Sequence, residues 1–300
     1  MGYLFLREGS LPVNKLSKKD VIFVVDRGEP LNSIINGLSK EELIRSRLVF
    51  YIIVKQKGIE KKIQAGDFRL SSSMSANEIA VELTHGTLDI WVTIPEGLRK
   101  QEIAEILTNK LGVSELEFIN KAQEGNLFPD TYLIPKNPTV DQVIELLSST
   151  MQVKYTQALE EAKNSKLSKT EILTLASLVE REASGDEDRQ EIANIIYKRY
   201  LNDWPLQIDA TLQYALGYQP DEKSWWTKNL TQEEYSTIKS PYNTYTNVGL
   251  PPTPICNPGE KSIIAVFNAN PNTANWYYSH DNKGRVHFAV TLDSHEENTR

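Results

Sequence analysis

The residue best placed to do chemistry is Glu180, in the run Leu175-Ala-Ser-Leu-Val-Glu-Arg-Glu182, whose second glutamate, Glu182, reads as structural. The run lies in a stretch that opens with Ser168-Lys-Thr-Glu171, the pattern of a capping box in which hydroxyl and carboxylate each satisfy a free backbone N–H. At about 100° per residue, Ile172, Leu173, Leu175, Ala176, Val179 and Ala183 form one broad apolar arc, and Glu180 projects inside it. The residues one turn from Glu180, namely Ala176, Ser177, Ala183 and Ser184, are all small and leave room for a ligand. Burial raises the pKa of a carboxyl group, and a carboxyl still protonated near neutrality is what a general acid requires. The other reading is a core carboxylate bonded to an arginine or a backbone N–H. Glu182 lies roughly 160° away on the same wheel, beside Glu171 on the polar edge, so the two glutamates are not expected to share a pocket.

Other reactive groups offer less. His85, His280, His287 and His295 show no metal-ligand spacing, and the one cysteine, Cys256, excludes an internal disulfide. No nucleophile elbow and no phosphate loop occur, so neither a metal nor a cofactor is expected and catalysis would rest on carboxyl chemistry. His280 and His287 are expected to flank a hairpin. The formal charge of −7 and the absence of a basic stripe argue against a nucleic-acid partner. Thirteen Tyr and five Trp offer amphipathic rings for stacking on sugars, although most should serve ordinary packing. No run of about 18 apolar residues spans a membrane. The opening Met-Gly-Tyr-Leu-Phe-Leu is too short for a signal sequence, and reads as the stub of a removed anchor or as a first strand.

The elements around the glutamates imply an α+β protein. The first half contains a duplication, each copy reading strand–helix–helix–strand–helix. Ile22–Gly28 and Ile90–Gly97 begin the copies, and residues 65–79 align without gaps on 129–143, pairing Phe68 with Tyr132 and N-cap Ser75 with Thr139. A short strand, a Gly turn and a helix pair are similar to a LysM module, which binds N-acetylglucosamine polymers; the alternative is a structural repeat that merely orients the second half of the chain. Three parts are expected: LysM-like unit one over 1–88, LysM-like unit two over 89–150 packing on the catalytic part, and a helix-rich catalytic domain over 151–300. In the last, a charged helix from Tyr155 to Ala162 precedes the glutamate helix. Helices from Gln190 to Asn202 and from Asp209, its expected N-cap, to Gly217 come next. Residues 240–259 are rich in Pro, Asn and Tyr and read as a long ordered loop of the kind that carries function. Lys261–Asn268 reads as a helix, and residues 276–290 as a hairpin.

Four runs together resemble the YceG/MltG-like family of endolytic murein transglycosylases: Leu175–Glu182, Leu206–Thr211, Ser240–Tyr245 and Gly249–Gly259. Val92–Gly97 and Phe128–Tyr132 match as well, so the resemblance covers nearly the whole chain in order. It implies a bacterial enzyme on the extracytoplasmic face of the cytoplasmic membrane, held by one N-terminal membrane helix that is missing here, so that this is a partial or trimmed chain. The substrate would be peptidoglycan glycan strands, cut at the β-1,4 bond between N-acetylmuramic acid and N-acetylglucosamine to leave a 1,6-anhydro end. Cell-wall synthesis proteins would be partners. The family's catalytic glutamate falls by motif on Glu180, and candidate substrate-binding residues are Gln207, Asp209, Thr211, Tyr214, Ser240, Tyr242, Asn243 and Tyr245. The loop 240–247 is expected to form one wall of a cleft over Glu180. A hydrolytic muramidase with Asp209 activating water, and a non-catalytic glycan-binding scaffold, are the alternatives.

Overall fold

A computed structural model of the chain describes residues 2–298 except 18, 86–88, 137, 163–165, 228 and 282. By internal contacts it divides into two units, Met1–Trp91 with Leu133–Asn137, and Val92–Tyr132 with Pro138–Arg300.

The first unit opens with helix α1 (Gly2–Ser10), not a strand. Leu6 and Gly9, three residues apart, share one helical face: Leu6 packs on the core, and a Cβ at Gly9 would lie 2.5 Å from a Val49 methyl. Strand β1 (Asp20–Val25) follows, then α2 (Leu31–Lys40), α3 (Arg47–Gln56), strand β2 (Gly66–Ser71) and α4 (Ala76–Glu82). The two strands pair antiparallel with Phe23 opposite Phe68. Alternation turns Phe23 and Val25 inward and leaves Ile22 and Val24 exposed. The strands cover a core of Ile34, Leu38, Val49, Phe50, Ile53 and Ile79. Ser75 and Glu78 form a capping box at the start of α4.

The element order then repeats: β3 (Asp89–Thr93), α5 (Lys100–Leu111), α6 (Glu115–Lys121), β4 (Thr131–Pro135) and α7 (Val140–Glu161). Strands β3 and β4 pair, and Thr139 with Gln142 reproduces the capping box of Ser75 with Glu78. The charged helix expected from Tyr155 is the last part of the 22-residue α7. Val143, Leu147, Met151, Tyr155 and Ala158 recur every three or four residues as one buried stripe, so nothing interrupts the helix at residue 152.

The second unit continues with α8 (Lys169–Glu182), α9 (Asp186–Leu201), α10 (Asp209–Leu216), the short α11 (Glu234–Thr237) and α12 (Glu260–Phe267). The hairpin β5 (Tyr277–His280) and β6 (Val286–Ala289) and a last helix, α13 (Leu292–Asn298), complete it. Helix α8 is central. Every residue from Ile172 to Val179 is buried; α9, α10 and α12 pack around α8, and Ile192, Ile196 and Ile263 on the helices join Leu206, Ile208 and Ile255 of the segments before α10 and α12 in the same core. The protein is thus α+β, helices with small antiparallel sheets. Among the described residues no helix is long and apolar enough to cross a membrane.

Candidate active site

Glu180 and Glu182, near the end of α8, meet different surroundings. Glu180 Oε2 accepts hydrogen bonds from the Ser262 hydroxyl at 2.6 Å, the Gly259 amide at 3.1 Å and Arg189 Nη1 at 3.3 Å. Gly259 is the N-cap of α12, whose first turn favours a carboxylate. Arg189 also donates to Ser262, and the Glu180 and Arg189 side chains keep 9% and 12% of their exposure. This is a buried ion pair joining α8, α9 and α12, and it matches the core-carboxylate reading of Glu180.

Glu182 is the last residue of α8 and lines a cavity of about 510 Å³. That corrects its expected place on a polar edge beside Glu171. A helical wheel treats the helix as an isolated cylinder, whereas the hairpin β5–β6, about a hundred residues on, covers this end of α8. Tyr278 of β5 donates its phenol to Glu182 Oε2 at 3.0 Å, and the His280 ring lies 3.0 Å from the Glu182 carbonyl. Burial pushes the Glu182 carboxyl up to about 7; the charge of Asp209 acts in the same direction, against the Tyr278 hydrogen bond and the Arg181 and Arg199 guanidiniums.

Across the same cavity stand Gln207, Asp209 and Tyr245. The expected role of Asp209 as the cap of α10 is not what the structure shows. Instead Ile208 holds the N-cap position, its N–H bonded to the Thr244 hydroxyl at 3.0 Å, and the Asp209 carboxylate is left for other partners. Tyr245 donates to Oδ1 at 2.5 Å and Tyr235 to Oδ2 at 3.2 Å. Burial and Asp209 together push the Tyr245 phenol well up, and push that of Tyr235 up to about 12, so both remain hydrogen-bond donors. Gln207 adopts a left-handed backbone, φ +54°, at a cost of about 1–3 kcal/mol for a residue with a Cβ. Its N–H is bonded to the Thr244 carbonyl. Buried Arg199 braces the frame by donating to the Leu206 carbonyl at 2.7 Å and to the Trp276 carbonyl at 2.7 and 2.9 Å, which ties α9 to the Gln207 segment and the hairpin. Leu292 and His295 of α13 close one side, His295 stacking on Tyr277 at 5.3 Å between ring centroids.

The remaining candidates lie elsewhere. Asn243 is fully buried and folds its own loop, donating to the Tyr235 and Ile238 carbonyls and accepting from the Tyr245 and Thr246 amides. Thr211 is buried against Ile208 and Thr244, and Ser240 accepts from the Tyr242 amide as a turn. Tyr214 and Tyr242 pack against each other and line a second cavity. The loop 240–247 therefore supplies the Glu182 cavity with Tyr245 and holds that residue in place through Asn243 and Thr244. Sequence reasoning does not bring Glu182, Tyr278, His280 and His295 to one cavity, as the structure does. One local signal exists for Glu182: an acidic residue in the last turn of a helix opposes the helix dipole. Among the described residues no three His, Cys, Asp or Glu side chains are grouped so as to hold a metal ion.

The chain is similar to a protein of Streptococcus pneumoniae serotype 2 (strain D39 / NCTC 7466) named endolytic murein transglycosylase, 28% identical over 341 residues. That match covers 99% of this chain but 61% of the pneumococcal protein, so the chain spans about three fifths of that relative's length. A Bacillus subtilis (strain 168) protein of the same name is 32% identical over 332 residues, covering 99% of this chain and 89% of its own. A crystal structure from Listeria monocytogenes, described as a yceG-like protein, superposes with a TM-score of 0.61 at 26% identity, covering 94% of this chain and all of that one. The profile of the YceG-like family matches residues 23–300, and the chain belongs to that family.

Proposed function

We propose that the chain is a lytic transglycosylase that cleaves the β-1,4 bond between N-acetylmuramic acid and N-acetylglucosamine within peptidoglycan strands, with Glu182 as its acid and base. The observation that carries the reading is the Glu182 carboxyl itself, desolvated and raised to about 7 in a cavity that also holds Asp209. Two carboxyl groups whose surroundings differ in this way are the usual basis of an acid–base assignment. The names of the relatives from S. pneumoniae and B. subtilis support the same chemistry.

In the first step protonated Glu182 donates its proton to the glycosidic oxygen as the C1–O bond breaks, and the electron pair leaves with the departing sugar. The cation-like anomeric carbon gains electrostatic stabilisation from the Asp209 carboxylate, kept in place by Tyr245 and Tyr235. The muramyl sugar's own 6-hydroxyl then attacks C1, and its proton passes to the Glu182 carboxylate, restoring the acid. No water is consumed. The tethered nucleophile supplies the large effective concentration of an intramolecular reaction. This reading places the acid two residues beyond Glu180, the position the resemblance suggests, because Glu180 is engaged by Arg189, Ser262 and the Gly259 amide.

Asp209 in the same cavity favours one alternative, a muramidase in which that carboxylate activates water, as in glycosidases with paired acids. Mass spectrometry of muropeptides released from purified peptidoglycan separates the two. Anhydro ends are expected; reducing ends would mean hydrolysis, and no release would leave a glycan-binding scaffold. The same reading puts the protein on the extracytoplasmic face of a bacterial cytoplasmic membrane, joined to an N-terminal anchor and working beside cell-wall synthesis proteins on nascent strands. The matched capping boxes and element order of residues 1–88 and 89–150 support LysM-like units that engage glycan ahead of the catalytic part from 151 to 300.

A further inference from the structure

The cavity lined by Tyr214 and Tyr242 is not used by the chemistry above, and it is a built site. It encloses about 640 Å³ between the start of α8, the end of α10, and residues 122–126 and 253–254. Its floor carries Glu124, whose Oε1 accepts from the Lys100 amide at 2.9 Å and from Asn257 Nδ2 at 2.8 Å, while the Tyr214 phenol donates to Oε2 at 3.3 Å. Asn257 is fully buried and also accepts from the Leu127 amide, so the acidic floor is held rigidly. Burial pushes the Glu124 carboxyl up to about 7. The Tyr214 and Tyr242 rings stand 4.8 Å apart and tilted by 49°, and the Tyr242 hydroxyl is anchored on Thr253 at 2.7 Å. The Arg99 guanidinium covers the Tyr214 ring at 4.6 Å, so the Tyr242 ring is the aromatic surface offered beside the carboxyl and amide network, a composition that recognises a sugar.

Its place relative to the reacting cavity follows from helix geometry. Asp209 and Tyr214 are five residues apart on α10, an axial separation of about 7.5 Å, and Leu173 and Glu182 nine apart on α8, about 13.5 Å. Both helices border both cavities. We propose that this second cavity binds a sugar residue of the same glycan strand, away from the bond being cut, and so makes binding depend on strand length. The proposal rests on the transglycosylase reading for its substrate class.

The test measures binding of glycan oligosaccharides of increasing length to the full chain carrying Glu182→Gln, so that binding is read without turnover. Affinity is expected to rise at the length that first reaches the second cavity. Adding Tyr242→Ala, or Thr170→Trp at the exposed rim, should abolish that rise, whereas Tyr242→Phe, which keeps the ring, should preserve it. Thr170→Trp fills the cavity from its surface and guards against a folding defect in Tyr242→Ala. An affinity rise that survives both Ala and Trp would overturn the proposal, as would affinity independent of length. Failure of the transglycosylase reading would show separately, as absence of anhydro ends from the unsubstituted protein.

Discussion

Replacing Glu182 by Gln should have two opposite consequences, and their combination distinguishes it from every neighbouring carboxylate. The amide retains the shape and can still accept from Tyr278 but has no proton to donate, so turnover should fall by about 10²–10⁴-fold. Stability should move the other way. The folded-state value of about 7 stands above the ordinary 4.5, so the native protein holds this proton to higher pH than the unfolded chain does. Below pH 4.5 both states are protonated and the group costs nothing. As pH rises through the window to about 7, ionisation is easier in the unfolded chain, and stability is lost until the carboxyl is charged in both states. At about 1.4 kcal/mol per pH unit, the difference between 4.5 and about 7 amounts to a cost on the order of 3 kcal/mol above pH 7. Glu182→Gln removes that cost, so denaturant unfolding at pH 7.5 should show a more stable protein and at pH 4 an unchanged one. Glu180→Gln should do the reverse, losing about 2 kcal/mol at neutral pH because Arg189 loses its buried carboxylate and keeps only the more exposed Asp186 at 3.8 Å. Turnover that survives Glu182→Gln while Glu180→Gln abolishes it, or a Glu182→Gln stability that tracks the parent at every pH, would refute the reasoning.

The alkaline limb of the pH–rate profile should move in opposite directions for two neighbours. Asp209→Asn removes the charge that raises the Glu182 carboxyl and should shift the limb to lower pH, whereas Tyr278→Phe removes the hydrogen bond that lowers it and should shift the limb upward; identical profiles would exclude Glu182 as the titrating acid. Asn243→Ala leaves several buried backbone groups without partners and should cost about 2–4 kcal/mol, read as a lower melting temperature, because the side chain holds the loop rather than the substrate. A variant that melts normally but fails to bind glycan would show the opposite.

Much of the fold is legible in the sequence because its determinants are local. The boxes Ser75–Glu78, Thr139–Gln142 and Ser168–Glu171 are contacts between residues three apart, visible in any sequence window, and each starts a helix as expected. The apolar arc of α8 and the strand–helix–helix–strand–helix repeat arise equally from periodicity. The runs Leu206–Thr211 and Ser240–Tyr245, which the resemblance singles out, do meet through Asp209 and Tyr245.

What periodicity could not decide is which side of a buried helix is core and which is cavity. Glu180 and Glu182 both leave solvent, but α12, eighty residues on, brings Gly259 and Ser262 against the first and completes a salt bridge. The hairpin, about a hundred residues on, brings Tyr278 to the second and stops short of filling the space in front of it. The same holds for Asp209, whose carboxylate meets Tyr245 and Tyr235, 36 and 26 residues on, rather than capping α10. Acid strength here comes from desolvation and from charges supplied by distant segments. Those are properties of the packed chain, and the sequence around Glu182 carries no record of them.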